Sequence, residues 1–397
     1  MLTARESTSL DSALELIRSL ASDIGPRRPC SDAERRGADL LVNWLQERGI
    51  EARTESFRGY ASLGYPYGLI FATALSGGLL QCKRHRLRRL GDLLTASSAL
   101  AGAVEGDLRW TPLSDAMSRR TSVNVVAHVR AAAEPRQRVC LGAHIDTTRS
   151  GLIFHPAIVR HLARLLQVPA GASLLLAADP LVRRLPGGRR LHALGIAGAL
   201  FALALLAERE LRGSDVPGAN DNASGCGVTA QLMAECAAAP FEHTEVDLLV
   251  SGCEESGVLG AQAYACAHHA RAKETIFVNF DSVGGDAPLT YILPEGSAML
   301  NRPASPPLVE LAEKIARRRP DLGLVAARTT PGLPTDATVM RAWSYEAITF
   351  LAQADTIPNY HWPTDTYENV APATIGRALE VGREMLRELD RAVEEIG

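Results

Sequence analysis

The stretch TEVDLLVSGCEESG, residues 244–257, decides how this chain is read. Residues 245–251 form an apolar run of strand length, rich in Val and Leu. The run leads straight into two adjacent carboxylates, Glu254 and Glu255, and a helical pattern follows over 257–270. A strand that passes through a short loop into a helix is the repeating unit of an α/β sheet, and such sheets bind ligands outside the carboxyl ends of their strands. The acidic pair therefore stands where a site forms.

The same grammar recurs along the chain. Further strands are expected at 51–57, 123–130, 138–143, 275–280, 289–293 and 346–351, and helices at 9–20, 32–48, 224–238, 305–318 and 371–394. Asp32 reads as the N-cap of the second helix and Gly49 as the residue just past its end. This alternation predicts an α/β fold, a mostly parallel central sheet flanked by helices, in one catalytic domain over 1–397.

Composition narrows the function classes. The 397 residues are 46% hydrophobic and 22% charged, with a formal net charge of -3. No Lys/Arg cluster is interleaved with aromatics, so no nucleic-acid partner is expected. The seven cysteines are odd in number, scattered and without a C-x-x-C, which argues against a disulfide framework and against a thiolate zinc site. The N-terminus opens on a charged amphipathic segment, and no secretory signal is read there.

Two stretches interrupt this pattern, 61–104 and 152–210. Each reads as a helical hairpin of two apolar segments around a basic turn: Lys83, Arg84, Arg86, Arg88 and Arg89 in the first, Arg183, Arg184, Arg189 and Arg190 in the second. Basic residues flanking apolar segments suit a phospholipid surface. Membrane association, at the surface or in the bilayer, is the expectation for these insertions; buried helices or a homo-oligomer interface are the alternatives, with a cytoplasmic protein as the alternative localisation.

Four more motifs resemble the acidic pair in placement. In GAHIDTT, His144 and Asp146 lie two apart at a strand end, so both face one side. His144 can bind a metal while Asp146 accepts its other ring N–H. Asp221 sits in PGANDNASG, a tight turn ahead of a helix, where an ordinary capping loop would use the same residue types. Asp281 ends the strand TIFVNF, and His361 lies between Pro358 and Pro363. Of Glu254 and Glu255, one can bind metal while its neighbour takes a proton from water; the residues alone do not say which. Two histidines and several carboxylates are the inventory of a two-metal hydrolase. Competing chemistries lack support. Gly225, Gly227 and Ala230 match a dinucleotide fingerprint, but no strand runs directly into it. Cys253 has no histidine placed to activate it, and no G-x-S-x-G occurs.

In GANDNASG, CEESGVLGAQAY, the Tyr-His…Asp segment NYHWPTD and the entry stretch IGPRRPCSDAERRGADLL, the chain resembles the di-zinc aminopeptidases typified by bacterial leucyl aminopeptidase. Glutamate carboxypeptidase, the transferrin receptor ectodomain and glutaminyl cyclase share that fold group. The resemblance runs from about residue 9 to 394 outside the two apolar insertions, and it extends to bacterial members with hydrophobic hairpins. It implies that Asp221 bridges two zinc ions, with His144 and Asp281 completing one site and Glu255 and His361 the other. Glu254 is then the general base and Asp146 supports the ligands. Cobalt or manganese also suits this donor set. The implied activity is removal of N-terminal residues from peptide substrates. A carboxypeptidase is the alternative, for which Arg149 is the candidate cation at the substrate's C-terminus. Another is an amide hydrolase or cyclase on the same fold; the cyclases use one zinc. A non-catalytic membrane-associated binding module is the alternative from a different class. Two departures stand out: 77 residues separate His144 from Asp221, more than is usual, and residues 332–338 read GLPTDAT where relatives carry a Ser-Asp-His-like sequence.

Overall fold

The computed structural model describes residues 4–298, 300–327 and 333–394. Strands β1 (Glu51–Gly59), β2 (Arg120–Val129), β3 (Gln137–His144), β4 (Thr244–Ser251), β5 (Thr275–Phe280), β6 (Leu289–Ile292), β7 (Pro294–Gly296), β8 (Asn301–Pro303), β9 (Val325–Ala327) and β10 (Glu346–Ala352) form two sheets. The large one is eight-stranded, in the order β1-β2-β4-β3-β5-β10-β6-β9, and β7 and β8 make a small hairpin beside it. Its middle, β4-β3-β5-β10, is parallel; β1, β2 and β6 pair antiparallel towards the edges.

Why these residues make a central sheet follows from period two. Val139, Leu141 and Ala143 pack into one core with Leu248 and Val250, while the intervening Cys140 and Leu249 pack into a second. A strand buried on both faces must be apolar throughout, and the middle strands are. The first core is closed by helices α1 (Ala4–Arg18), α2 (Asp32–Gln46), α9 (Ser224–Ala238), α11 (Pro306–Arg318) and α13 (Pro372–Glu394). The second is closed by α10 (Leu259–His268) and α12 (Asp336–Ala342).

The predicted strands and long helices thus lie where periodicity put them. Three local differences have physical reasons. Ser31, not Asp32, caps α2, its hydroxyl accepting from Glu34 N–H at 3.1 Å; this frees the Glu34 carboxylate to accept from Cys30, Cys253 and Ser122. Strands β7, β8 and β9 are each three residues long, too short to carry a period. Helices α5 (Pro112–Met117) and α12 are six and seven residues, within the ambiguity of short apolar runs.

The two apolar stretches are helical: α3 (Gly64–Gln81) and α4 (His85–Gly106), then α6 (Leu162–Ala177), α7 (Asp179–Val182) and α8 (Gly188–Arg212). Helix α3 packs on α4 and α8, and α6 on α4 and α8, so the four long helices form one bundle. Small residues set the spacing; a Cβ on Gly198 would stand 2.6 Å from that of Ala172. The two basic turns meet at one end, where Arg183 pairs with Asp92 at 3.0 Å and the Cys82 thiol lies 3.4 Å from His192. At the other end the chain re-enters the α/β domain.

Arg27 ties the entry segment to the sheet. It is fully buried, and its guanidinium donates to the carbonyls of Leu20, Gly25, Ile145, Pro217 and Gly218 at 2.7–3.0 Å. Burial lowers its pKa to about 10, which leaves it charged at neutral pH. Arg27→Met strands several buried acceptors. Each charge-assisted hydrogen bond is worth roughly 1.5–3 kcal/mol, so the variant is expected to lose about 3 kcal/mol or more, read as a lower midpoint in urea unfolding.

Candidate metal centre

Each motif reaches the site from a different element. His144 is the last residue of β3, Glu254 and Glu255 follow β4, Asp281 follows β5, Asp221 lies in the loop before α9, and His361 in the loop after β10. These segments meet at the carboxyl ends of the parallel strands. His144 Nε2 lies 3.1 Å from Asp221 Oδ1 and 4.0 Å from Asp281 Oδ1. On the other side His361 Nε2 lies 3.1 Å from Asp221 Oδ2 and 3.2 Å from Glu255 Oε1. The six residues expected to bind metal or move a proton thus converge, and five form two overlapping groups of metal-ligand geometry: His144, Asp221 and Asp281; and Asp221, Glu255 and His361. Asp221 gives one oxygen to each. Glu254 is in neither group, and it lines the adjoining cavity.

Two expectations need correction. Asp146 was expected to accept the ring N–H of His144 through its carboxylate. Instead the ring Nδ1 lies 3.1 Å from the main-chain carbonyl of Asp146 and 3.8 Å from its Oδ1. The carboxylate is turned to the next strand, where it accepts the backbone N–H of Glu254 at 2.9 Å and of Glu255 at 3.0 Å. Two neutral N–H donors at hydrogen-bond distance suit a fully buried carboxylate, so Asp146 sets the loop that aims the glutamate pair. Arg149 does not reach the large cavity. Its guanidinium donates to the carbonyls of Glu210 and Gly213, and it stands 3.5 Å from Asp215.

Sequence reading missed the residues that position Asp221. Asp365 accepts the backbone N–H groups of Asn220 at 2.6 Å and Asp221 at 3.0 Å, fixing the loop from below. Asn222 bridges to the neighbouring strand end, donating to the Phe280 carbonyl at 3.0 Å and accepting from Gly225 and Ser282 N–H. Gly225 must be glycine, because a Cβ there would lie 2.2 Å from the Phe280 carbonyl oxygen. The signal for Asp365 was present in NYHWPTD but had no role attached. In the departing stretch 332–338, Gly332 lies outside the described residues; Asp336 is buried and accepts from Ser251 Oγ at 2.6 Å, while its other oxygen has no hydrogen-bond partner.

The electrostatics are those of a pocket with too many carboxylates. Burial pushes Asp281 and Asp146 up to about 7 and Glu254 well above the usual carboxylate range; His144 opposes the rise in each. Burial alone would lower the His361 ring, but Glu255 and Asp221 overcome it and raise it to about 9. His144 is raised likewise, chiefly by Glu254 and Asp221 against the effect of burial. Asp221 is the exception: burial works against its charge, yet His144 and His361 hold it well below the ordinary range. Glu255 Oε1, buried at the centre of the second group, has the His361 ring nitrogen at 3.2 Å but no well-aligned hydrogen bond. Oxygen and imidazole donors converging on two common points fit divalent cations.

The fold is similar to that of zinc exopeptidases. Over residues 198–386 the chain matches the model of peptidase family M28. A zinc aminopeptidase of Bacillus subtilis superposes with a TM-score of 0.56 at 15% identity, over 96% of this chain and 95% of that one. The aminopeptidase of Aneurinibacillus sp. strain AM-1 superposes at 0.57 and 15% identity, over 95% and 93%. Bacteroides thetaiotaomicron glutaminyl cyclase bound to N-acetylhistamine superposes at 0.57 and 14% identity, over 95% and 96%. At these identities the likeness is one of fold. No curated protein matches the sequence.

The raised histidines predict how cations bind. Below about pH 9 the metal-free pocket holds His361 protonated, and a ligand nitrogen must be free. Binding therefore expels protons, and affinity falls as pH drops from 9 towards 6. Calorimetric titration of metal-free protein with zinc in two buffers of unlike ionisation enthalpy is expected to show proton release at pH 7; identical heats in both buffers would contradict it.

Proposed function

We propose that the chain is a two-metal exopeptidase that removes N-terminal residues from peptides, with zinc as the first-choice metal. The observation that carries this reading is the pair of three-ligand groups sharing Asp221, with Glu254 beside them and outside both. A pair of divalent cations at such a site supplies an acidified water and a Lewis acid for the substrate carbonyl. His144 and Asp281 would hold one ion and Glu255 and His361 the other, with Asp221 between them.

Glu254 does the proton work. Its carboxylate lines the cavity, and burial raises its proton affinity well above that of a solvated glutamate. A base of raised pKa can take a proton from the attacking water near neutrality and hand it to the leaving amine. Asp146 keeps that carboxylate in place through the two backbone bonds described above. The free amine of the substrate would bind beside the ion that Glu255 and His361 hold, a contact a blocked terminus could not make.

Glu254→Ala is expected to retain about two equivalents of metal and to lose at least about a hundredfold in turnover, the usual worth of general acid–base catalysis. Aminoacyl-nitroanilides, dipeptides and an N-terminal glutaminyl peptide, each with and without chelator, are the assay. Near-normal turnover by the variant removes Glu254 from the mechanism. Cyclisation of the glutaminyl peptide in place of hydrolysis favours the cyclase reading, and chelator-insensitive, metal-free protein favours a binding module.

We also propose that the helical bundle sits in a bilayer. Its outer surface is apolar: Leu93, Leu100, Leu194 and Leu200 are each more than half exposed. Among the described residues, Gly188–Arg212 alone is long and apolar enough to cross a membrane, and only 22% of its most apolar window is buried. A soluble core helix would be covered. With both basic turns at one end, anionic headgroups have a cationic partner there. The full chain is expected to float with phosphatidylserine-containing vesicles and to resist extraction by high salt; recovery in the soluble fraction without detergent would rule this out.

A further inference from the structure

A cavity of about 350 Å³ lies between the bundle and the sheet, and it is continuous with the metal centre. Its floor is His144, Asp221, Glu254, Glu255, Asp281 and His361. Its walls are Ile70 and Phe71 of α3, Leu166 and Leu174 of α6, and Leu205 and Leu206 of α8. The volume falls in the range of roughly 300–1,000 Å³ that holds a small-molecule ligand. All four long bundle helices therefore line the cavity, α3, α6 and α8 with large apolar side chains; the sheet side supplies the carboxylates and imidazoles of the centre, and the bundle adds Glu105 and Arg209. Phe154, from the stretch that leads into α6, packs on the His361 ring at 4.4 Å between centroids and joins the two regions.

From this we infer that the substrate is an amphiphile: an amide with a long hydrocarbon chain, whose chain lies among α3, α6 and α8 while its amide rests on the carboxylate and histidine cluster. The inference rests on the exopeptidase reading and adds the substrate class. The reaction is ordinary hydrolysis: water adds across the C–N bond, giving a carboxylate and an amine, with no oxidant or further reactant. A side chain of common size leaves most of such a cavity empty. A longer chain fills it, and each buried methylene improves the fit by roughly fourfold in affinity. Ser173 marks the wall. Its side-chain oxygen is buried in the cavity lining and has no hydrogen-bond partner, so replacing it forfeits no bond.

The test uses the full chain in detergent micelles, loaded with zinc, and two series of amides. One series is leucine alkylamides from butyl to dodecyl; the other is nitroanilides of straight-chain 2-amino acids over the same span. In at least one series kcat/KM is expected to climb about tenfold or more from the shortest to the longest member. Ser173→Phe is expected to lower that long-to-short ratio by about tenfold, since the ring occupies the chain's space. Should that variant fail to fold, Ala170→Leu, on the same wall, has the same readout. Flat or falling rates in both series, with leucyl-nitroanilide still cleaved, overturn the inference and leave the exopeptidase reading standing. An unchanged ratio in a folded wall variant overturns the placement of the chain. Failure to cleave any member, leucyl-nitroanilide included, sinks both readings together.

Discussion

Mutual repulsion among buried carboxylates is the constraint on which this structure turns. Asp146, Asp221, Glu254, Glu255, Asp281 and Asp336 crowd one pocket, with two imidazoles as the nearest positive partners. Without cations, protons must neutralise the excess: burial first and neighbouring carboxylates after it raise Asp281 and Glu254, and the carboxylates raise both histidines against the effect of burial. A site that holds protons this strongly is equally a site for cations, because both answer the same field. The fold has to hold these groups together against their repulsion.

It does so with hydrogen bonds to the main chain. Asp365 holds the Asp221 loop by two backbone N–H groups, Asp146 holds the glutamate loop in the same manner, and Arg27 gathers five carbonyls, among them Pro217 and Gly218 ahead of the Asp221 loop and Ile145 beside Asp146. None of these three touches the expected metal positions in a ligand group. Their work is to fix loops that repulsion would otherwise spread. His361 adds local strain, with a φ of +49° in the left-handed region; Tyr360 stacks on its ring at 3.9 Å and helps keep it there.

Much of this was legible before any coordinates. The middle strands announce themselves as apolar runs because both faces are buried, and each motif follows such a run or opens a helix. His144, Glu254 and Asp281 were readable for that reason. Asp365 and Arg27 were not, because their partners are backbone groups far away in the chain, and a carboxylate or guanidinium that binds main chain has no sequence period. The role of Asp146 was misassigned for a related cause. Spacing of two shows which side of a strand a residue faces, but not which of two neighbours its oxygens choose. The cavity among the bundle helices was also out of reach, since helical periodicity shows an apolar face without saying whether that face meets another helix or an open space.

Arg149 and Asp215 close a seam. They form an antiparallel bridge, flanked by Ser150 N–H to Ser214 O at 2.8 Å and Val216 N–H to Thr148 O at 3.1 Å. Everything from Gly151 to Gly213 leaves and rejoins the α/β body at that one point. The distance between His144 and Asp221 in space is thus decoupled from their separation along the chain. What is threaded through the seam can lengthen or shorten at little cost, because closing a longer loop costs only slowly growing entropy, provided Phe154 keeps its place on the His361 ring. A centre built this way can be given new surroundings by varying the parts of one segment that stand away from it.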